Sequence, residues 1–299
     1  MNNFPVLLLV LVILKQVSCE PTPIVLWHGM GDTCCTPFSL GVFKDFVEKQ
    51  IPGVYINSLM IGNSIVEDMD NGFFMYANSQ VDYACAKVAE DPKLRNGFNA
   101  IGFSQGSQFL RALVQRCGHK LGPIRNLITL GGQHQGVYGL PHCGAYQHAT
   151  CDYVRRLLNY AAYYGWVQKS LVQATYWHDP LDEVTYKRYS EFIADINNER
   201  EVNVTYVTNL KSIDHFVMVK FDNDSMVQPR ETEWFGFYAP GQAMKVLGLR
   251  DTELYIKDRL GLKAMDKAGK LVFLSQPGDH LRFDRQWFID VILKPYLLN

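Results

Sequence analysis

The sequence predicts an α/β fold with a mostly parallel central sheet, and three observations carry that reading. From Ile24 to Leu130, short apolar runs of strand length alternate with longer segments of helical periodicity. That order needs crossover helices, and hence parallel strands. The pentapeptide Gly102-Phe103-Ser104-Gln105-Gly106 sits between one such run and one such helix. Two further apolar runs, Phe216–Phe221 and Leu271–Leu274, return after a stretch of different texture.

Each element follows from its residues. Ile24-Val25-Leu26-Trp27 reads as a buried strand running into the loop His28-Gly29-Met30-Gly31-Asp32, and Phe38 to Gln50 as a helix. Val54-Tyr55-Ile56 is the expected second strand, and Asn78-Ser79 the expected cap of a helix reaching about Asp91. Phe98–Phe103 is short and mostly apolar, as a buried parallel strand should be. In the helix from Ser107 to Arg116, Phe109, Leu110, Leu113 and Val114 form one apolar face. Asn126–Leu130 is the next strand, ended by Gly131-Gly132. From about 141 to 212 the chain is rich in Tyr and Trp and poor in strand patterns, which predicts a largely helical insertion. Phe216–Phe221 and Leu271–Leu274 then complete the sheet, and Asp284 to Leu293 forms a closing helix.

Composition narrows the class. With 299 residues, 47% of them hydrophobic, the chain can bury one large core, a single domain over 20–299 that carries the insertion. A net charge of −1 with no basic block argues against nucleic acid as a partner. Pro5 to Leu14 is an apolar run of signal-peptide length, and Val17-Ser18-Cys19 suits signal peptidase. Residues 1–19 are therefore expected to be a cleaved signal peptide, against the alternative of an uncleaved anchor. No later run is apolar enough to span a membrane, so the mature chain is expected to have no transmembrane segment. Cys34, Cys35, Cys85, Cys117, Cys143 and Cys151 remain, an even number suited to an oxidising compartment. Six cysteines allow about 15 pairings. Cys85 and Cys117 lie on helices that one sheet face could bring together, and Cys143 and Cys151 close a short loop. Two sequons, at Asn203 and Asn223, agree with the secretory route.

The pentapeptide carries the chemistry. A G-x-S-x-G on a strand-to-helix turn holds the serine out as a nucleophile, and glycine at −2 and +2 avoids collision with neighbouring backbone. A serine hydroxyl needs a base, and the base needs an acid that fixes its tautomer. On such sheets the chain order is Ser, then Asp or Glu, then His. The two late strands run into Asp222-Asn223-Asp224 and Gly278-Asp279-His280, on the same sheet edge as Ser104. The expected triad is Ser104, Asp224 and His280, with Asp222 the rival acid. Asp279 adjoins His280 too closely to orient its ring. His134, after the fourth strand, reads as structural or as a substrate contact. His28-Gly29-Met30-Gly31 resembles the loop that supplies an oxyanion donor; Met30 and Gln105 are the expected amides. If the chain is extended at Asn223-Asp224, a glycan and the acid point opposite ways.

With these residues in place the chain resembles the palmitoyl-protein thioesterases of the α/β-hydrolase superfamily. The resemblance rests on Val25–Asp32 with Cys34-Cys35, Gly102–Ala112, Gly131–Val137, Tyr176–Pro180, Asn223–Ser225, Glu233–Tyr238 and Gly278–His280. It implies an α/β-hydrolase fold, with helices on both faces of a mostly parallel sheet and a helical insertion over an acyl groove. It also implies removal of long acyl groups, chiefly palmitate, from cysteine thioesters of lipid-modified proteins in the lysosome. The roles given to Ser104, His280, Asp224, Met30 and Gln105 match the family's positions. The bridges implied are Cys34–Cys35, Cys85–Cys117 and Cys143–Cys151. Lys187-Arg188-Tyr189-Ser190 lacks the Asn of a further family sequon, so fewer glycans are expected, at Asn203 and Asn223.

The groove is expected beneath the insertion, with Trp177, Leu181, Val184, Phe192 and Ile193 as candidate lining; their simplest reading is the insertion's own core. No metal or organic cofactor is required. Two other readings share these residues: a secreted esterase acting on oxygen esters, and a non-catalytic lipid-binding protein on the same scaffold. Because the base must be neutral, activity is expected to rise between lysosomal pH and neutrality. A signal peptide and sequons alone fit secretion equally well.

Overall fold

The computed structural model describes residues 20–139 and 158–298. The expected signal peptide over 1–19, and Cys143 and Cys151, lie outside the described residues. Among them the main sheet runs β2-β1-β3-β4-β5-β8, every neighbouring pair parallel. Its strands are β1 Ile24–Trp27, β2 Ile56–Ser58, β3 Phe98–Phe103, β4 Ile124–Leu130, β5 His215–Phe221 and β8 Leu271–Gln276. This is the α/β-hydrolase arrangement. Alternation along each strand feeds two cores. Val25 and Trp27 face helices α3 (Ala77–Glu90) and α4 (Gln105–Cys117), while Ile24 and Leu26 face α1 (Leu40–Gln50) and the C-terminal helical segment.

Some boundaries moved, for physical reasons. β2 starts at Ile56, opposite Ile24, because the Val54 amide is used on Ile51 O (3.1 Å) to close the turn after α1. Asn78 does not cap α3, which begins at Ala77; its side chain donates to the Glu191 carbonyl and accepts from Arg116, tying α3 to the insertion. Helix α2 (Ile65–Phe74) was not expected, although Ser64-x-x-Glu67 is a capping pattern: Ser64 Oγ accepts from Glu67 N at 3.1 Å. The closing segment is an α-turn at Arg285–Trp287, a π-helix over Phe288–Leu293 and a last turn at Lys294–Tyr296. A two-residue hairpin, β6 Phe237–Tyr238 with β7 Val246–Leu247, was also unforeseen.

Between β4 and β5 the described chain is helical, at Gly165–Ser170, Val172–Thr175, Glu183–Tyr189, Ile193–Ile196 and Val204–Ser212. Arg111 of α4, fully buried, holds this layer by donating to Ile196 O (3.1 Å) and His134 O (3.0 Å). Disulfides join Cys34 to Cys35 and Cys85 to Cys117, the second pinning α3 to α4. Among the described residues no helix is long and apolar enough to cross a membrane.

Candidate active site

Ser104 stands at the tip of the turn from β3 into α4. Its φ of 50° is a strained value for a residue with a side chain. The turn closes only because its flanks are glycine. A Cβ on Gly102 would lie 2.6 Å from Ser107 Cα, and one on Gly106 would lie 2.3 Å from Trp27 O. Three loops at the carboxyl ends of β3, β5 and β8 converge there. Ser104 Oγ lies 2.9 Å from His280 Nε2, and His280 Nδ1 lies 2.5 Å from Asp224 Oδ2. With Nδ1–H donated to the carboxylate, Nε2 is free to accept the serine proton.

The supports are specific. Gly131 lets the imidazole approach β4, since a Cβ there would lie 2.7 Å from His280 Cε1. Asp279 ties the two loops together: its Oδ1 accepts from Ser225 N (2.9 Å) and His280 N (2.7 Å). It braces the loop and leaves the ring to Asp224. Asp222 points elsewhere and pairs with Lys220 at 3.3 Å. Asp224 Oδ1 accepts from Met226 N and Val227 N at 2.7 and 2.8 Å. Burial works to raise its carboxyl pKa, but the hydrogen bonds and charge of its partners, His280 foremost, hold it below the ordinary value. Asn223 is exposed while its neighbour Asp224 is buried. Asn203, also exposed, caps the helix at Val204–Ser212 through its Oδ1.

The side expected to receive the oxyanion is equally braced. Gln105 is the first residue of α4, so its own amide has no intrahelical acceptor. Gly29 brings the Met30 backbone against the serine, for a Cβ there would meet Ser104 Cβ at 3.1 Å. Beneath the loop, His28 Nε2 meets Asp68 Oδ1 at 3.0 Å and Nδ1 meets Gly29 O at 2.8 Å. Both ring nitrogens face acceptors, which favours the doubly protonated ring. Burial opposes that charge, but Asp68 and the Gly29 carbonyl outweigh it and raise the pKa.

Two contributors escaped the sequence reading. Gln133 Nε2 donates to Ser104 Oγ at 3.2 Å and is itself clamped by Gln108 (2.6 and 3.1 Å). Glu233, 0% exposed, accepts from Phe221 N at 2.9 Å and lies within hydrogen-bonding reach of Asp224. Each sat inside a stretch already singled out, yet acts only through a tertiary contact. His134 is a core residue, fully buried between Phe216 and Phe235; burial and Arg111 keep it neutral.

Ser104 and His280 open into a cavity of about 620 Å³, within the range of ligand pockets. Its walls are largely apolar, with Phe43, Phe46, Phe103, Tyr176, Trp177 and Phe283 among them. The lining differs from the one expected. Trp177 does line the cavity, but Leu181 and Val184 are 54% and 76% exposed, and Phe192 and Ile193 are fully buried in the core. The reason is placement: much of the cavity wall comes from α1 and the loop after β8, and only one side from the insertion. Among the described residues no cluster of His, Cys, Asp and Glu could hold a metal.

Against known proteins, the family model described as palmitoyl protein thioesterase matches residues 23–280. The chain is 47% identical to Palmitoyl-protein thioesterase 1 of Caenorhabditis elegans, over 100% of both chains. It is 34% identical to Palmitoyl-protein thioesterase 3 of Dictyostelium discoideum, covering 98% of this chain and 95% of that one. To Lysosomal thioesterase PPT2 of Homo sapiens it is 26% identical, over 86% and 80%.

Proposed function

This chain belongs to the palmitoyl protein thioesterase family, and from that premise we infer that it hydrolyses long-chain acyl thioesters of cysteine through an acyl-serine. The observation that carries the reading is the Ser104–His280–Asp224 line of 2.9 and 2.5 Å at the mouth of an apolar cavity.

Each residue then has a role. His280 Nε2 takes the Ser104 proton as Oγ attacks the acyl carbonyl, and Asp224 stabilises the imidazolium that forms. The amides of Met30 and Gln105 receive the developing oxyanion. The tetrahedral intermediate collapses by breaking the C–S bond. A cysteine thiol has an ordinary pKa of about 8.5, so the thiolate leaves more readily than an alkoxide. His280 then returns its proton to the thiolate and serves as base for water, which attacks the acyl-serine and frees the acid and Ser104. S-acylated proteins and peptides are the substrates this reading names.

For the compartment we propose the lysosome, reached by the secretory route; the apolar N-terminal run, the two exposed sequons and the disulfides support the route, and the likeness to Lysosomal thioesterase PPT2 of Homo sapiens supports the destination. Microscopy of the full chain against a lysosomal marker checks this, and a cytosolic signal, or a chain found only in the medium, would refute it.

The activity test compares a palmitoyl thioester with its matched oxygen ester, using Ser104→Ala as control. Thioester preference, reduced at least about 1,000-fold in Ser104→Ala, is the expected result. Preference for the oxygen ester would move the chain to a lipase-like role, and no turnover of either would favour a binding protein.

A further inference from the structure

Glu233 lies outside the reacting line and yet touches it. Its carboxyl is wholly buried, with one oxygen accepting the Phe221 amide at 2.9 Å. The other oxygen, Oε1, has no donor facing it. The Asp224 carboxyl is within hydrogen-bonding reach. Two carboxylates so close in a buried place cannot both be charged; one must hold a proton.

Geometry decides which. Asp224 already accepts three hydrogens, from Met226 N, Val227 N and His280 Nδ1. It is served as an anion. Glu233 receives one amide and leaves an acceptor bare. A proton on Glu233 turns that bare acceptor into a donor and gives Asp224 a further hydrogen bond. The other charged or titratable groups around it agree. Lys220, on β5, is engaged with Asp222. His134, behind the Thr232 carbonyl, is neutral. Asp279, in the loop after β8, is taken up by Ser225 and the His280 amide. Burial first, then Asp224, pushes the Glu233 carboxyl well above its ordinary pKa.

We propose that Glu233 is held as a neutral carboxylic acid that donates to Asp224, a positioning residue that sets how strongly Asp224 draws a proton onto His280. The inference rests on the reading of Ser104, His280 and Asp224 given above. A carboxylate that already accepts a strong hydrogen bond is a weaker base. It therefore attracts the imidazole proton less, and the acid limb of the activity lies at lower pH. The Glu233 proton itself does not move in the reaction.

The test uses the full chain with Glu233→Gln and Glu233→Leu, following kcat/KM on a palmitoyl thioester against pH together with thermal melts. Gln copies the neutral acid as donor, so its activity should stay within about twofold of wild type with the acid limb unmoved. Leu removes the donor, and the acid limb should move up by about one pH unit. The melts have their own sign. With the folded-state pKa raised, folded chain keeps a proton that unfolded chain loses above about 4.5, so wild type loses stability as pH rises through that window. Glu233→Gln escapes this cost and should gain on wild type from that pH upward. A flat difference, or equal losses in both variants with unmoved acid limbs, would overturn the proposal. If Glu233→Leu does not fold, the Glu233→Gln melts and the infrared carbonyl band of a protonated carboxyl, lost in that variant, decide the matter. Neither measurement needs turnover, so an inactive wild type would sink the functional reading separately.

Discussion

His28 is the residue whose chemistry is most exposed to test. It is buried, and its ring stands between the Gly29 carbonyl and Asp68, whose other contacts are Ile61 N at 2.7 Å and Cys34 N at 2.8 Å. The oxyanion loop is thereby hung from one carboxylate. Asp68→Asn removes the charge and forces an N–H against a donor, which should cost about 1–3 kcal/mol of stability and lower kcat roughly 10- to 100-fold. The His28 folded-state pKa is raised above its ordinary 6.5, so its contribution is full below that value and fades as pH rises through the folded one. Melts of wild type and His28→Gln from acid to alkaline pH should therefore converge as pH rises; a constant gap would refute the charged imidazole. At this scale the sequence was most readable where a residue follows a strand. Ser104, Asp224 and His280 could be named because strand ends place loops on one sheet edge. Gln133 and Glu233 could not be given roles, because those roles rest on contacts with Ser104 and Asp224 across 29 and 9 positions of chain, with no periodic signal. The groove residues failed for a related reason: aromatic content in the insertion does not say which side chains face the cavity.

Among the elements, the elbow between β3 and α4 has little freedom. Its geometry brings the first turn of the helix against β1, so close that Gly106 has the Trp27 and His28 carbonyls where a Cβ would go, at 2.3 and 2.5 Å. Backbone on both sides cannot yield cheaply. Gly106→Ala should destabilise the chain by about 3 kcal/mol and displace Ser104, with loss of activity out of proportion to a single methyl. A melt within a degree of wild type, with normal kcat, would show that the helix can shift. The strands of the central sheet were legible because alternate or continuous apolar runs have few other uses. Helix α2 was passed over because its exposed Ile65, Val66 and Met69 blur the amphipathic pattern, although Ser64 and Glu67 marked its start. The β6–β7 hairpin has only two residues a side and carries no pattern to read.

For the whole molecule the question is how a single sheet with helices on both faces accommodates a long acyl chain. The cavity beside Ser104 does not stop at the insertion. A second hollow of about 550 Å³ shares Val42, Phe46 and Arg285 with it, while Ser104 and His280 line only the first. Those shared residues stand where the two hollows adjoin, between α1 and the C-terminal helical segment. A palmitoyl chain laid from Ser104 along the apolar wall is expected to reach them, and a short acyl chain is not. Val42→Trp, on a 37% exposed position where added bulk need not disturb the core, should narrow that passage. Losing contact with several methylenes costs roughly 1–3 kcal/mol, so kcat/KM for a palmitoyl thioester should fall about 10- to 100-fold while that for an octanoyl thioester changes little. Because both substrates share one reacting centre, their ratio separates groove length from chemistry. Equal loss on both would mean that the substitution acts on Ser104 or the fold, and no loss on either would send the acyl chain along the Leu158 and Trp177 wall instead.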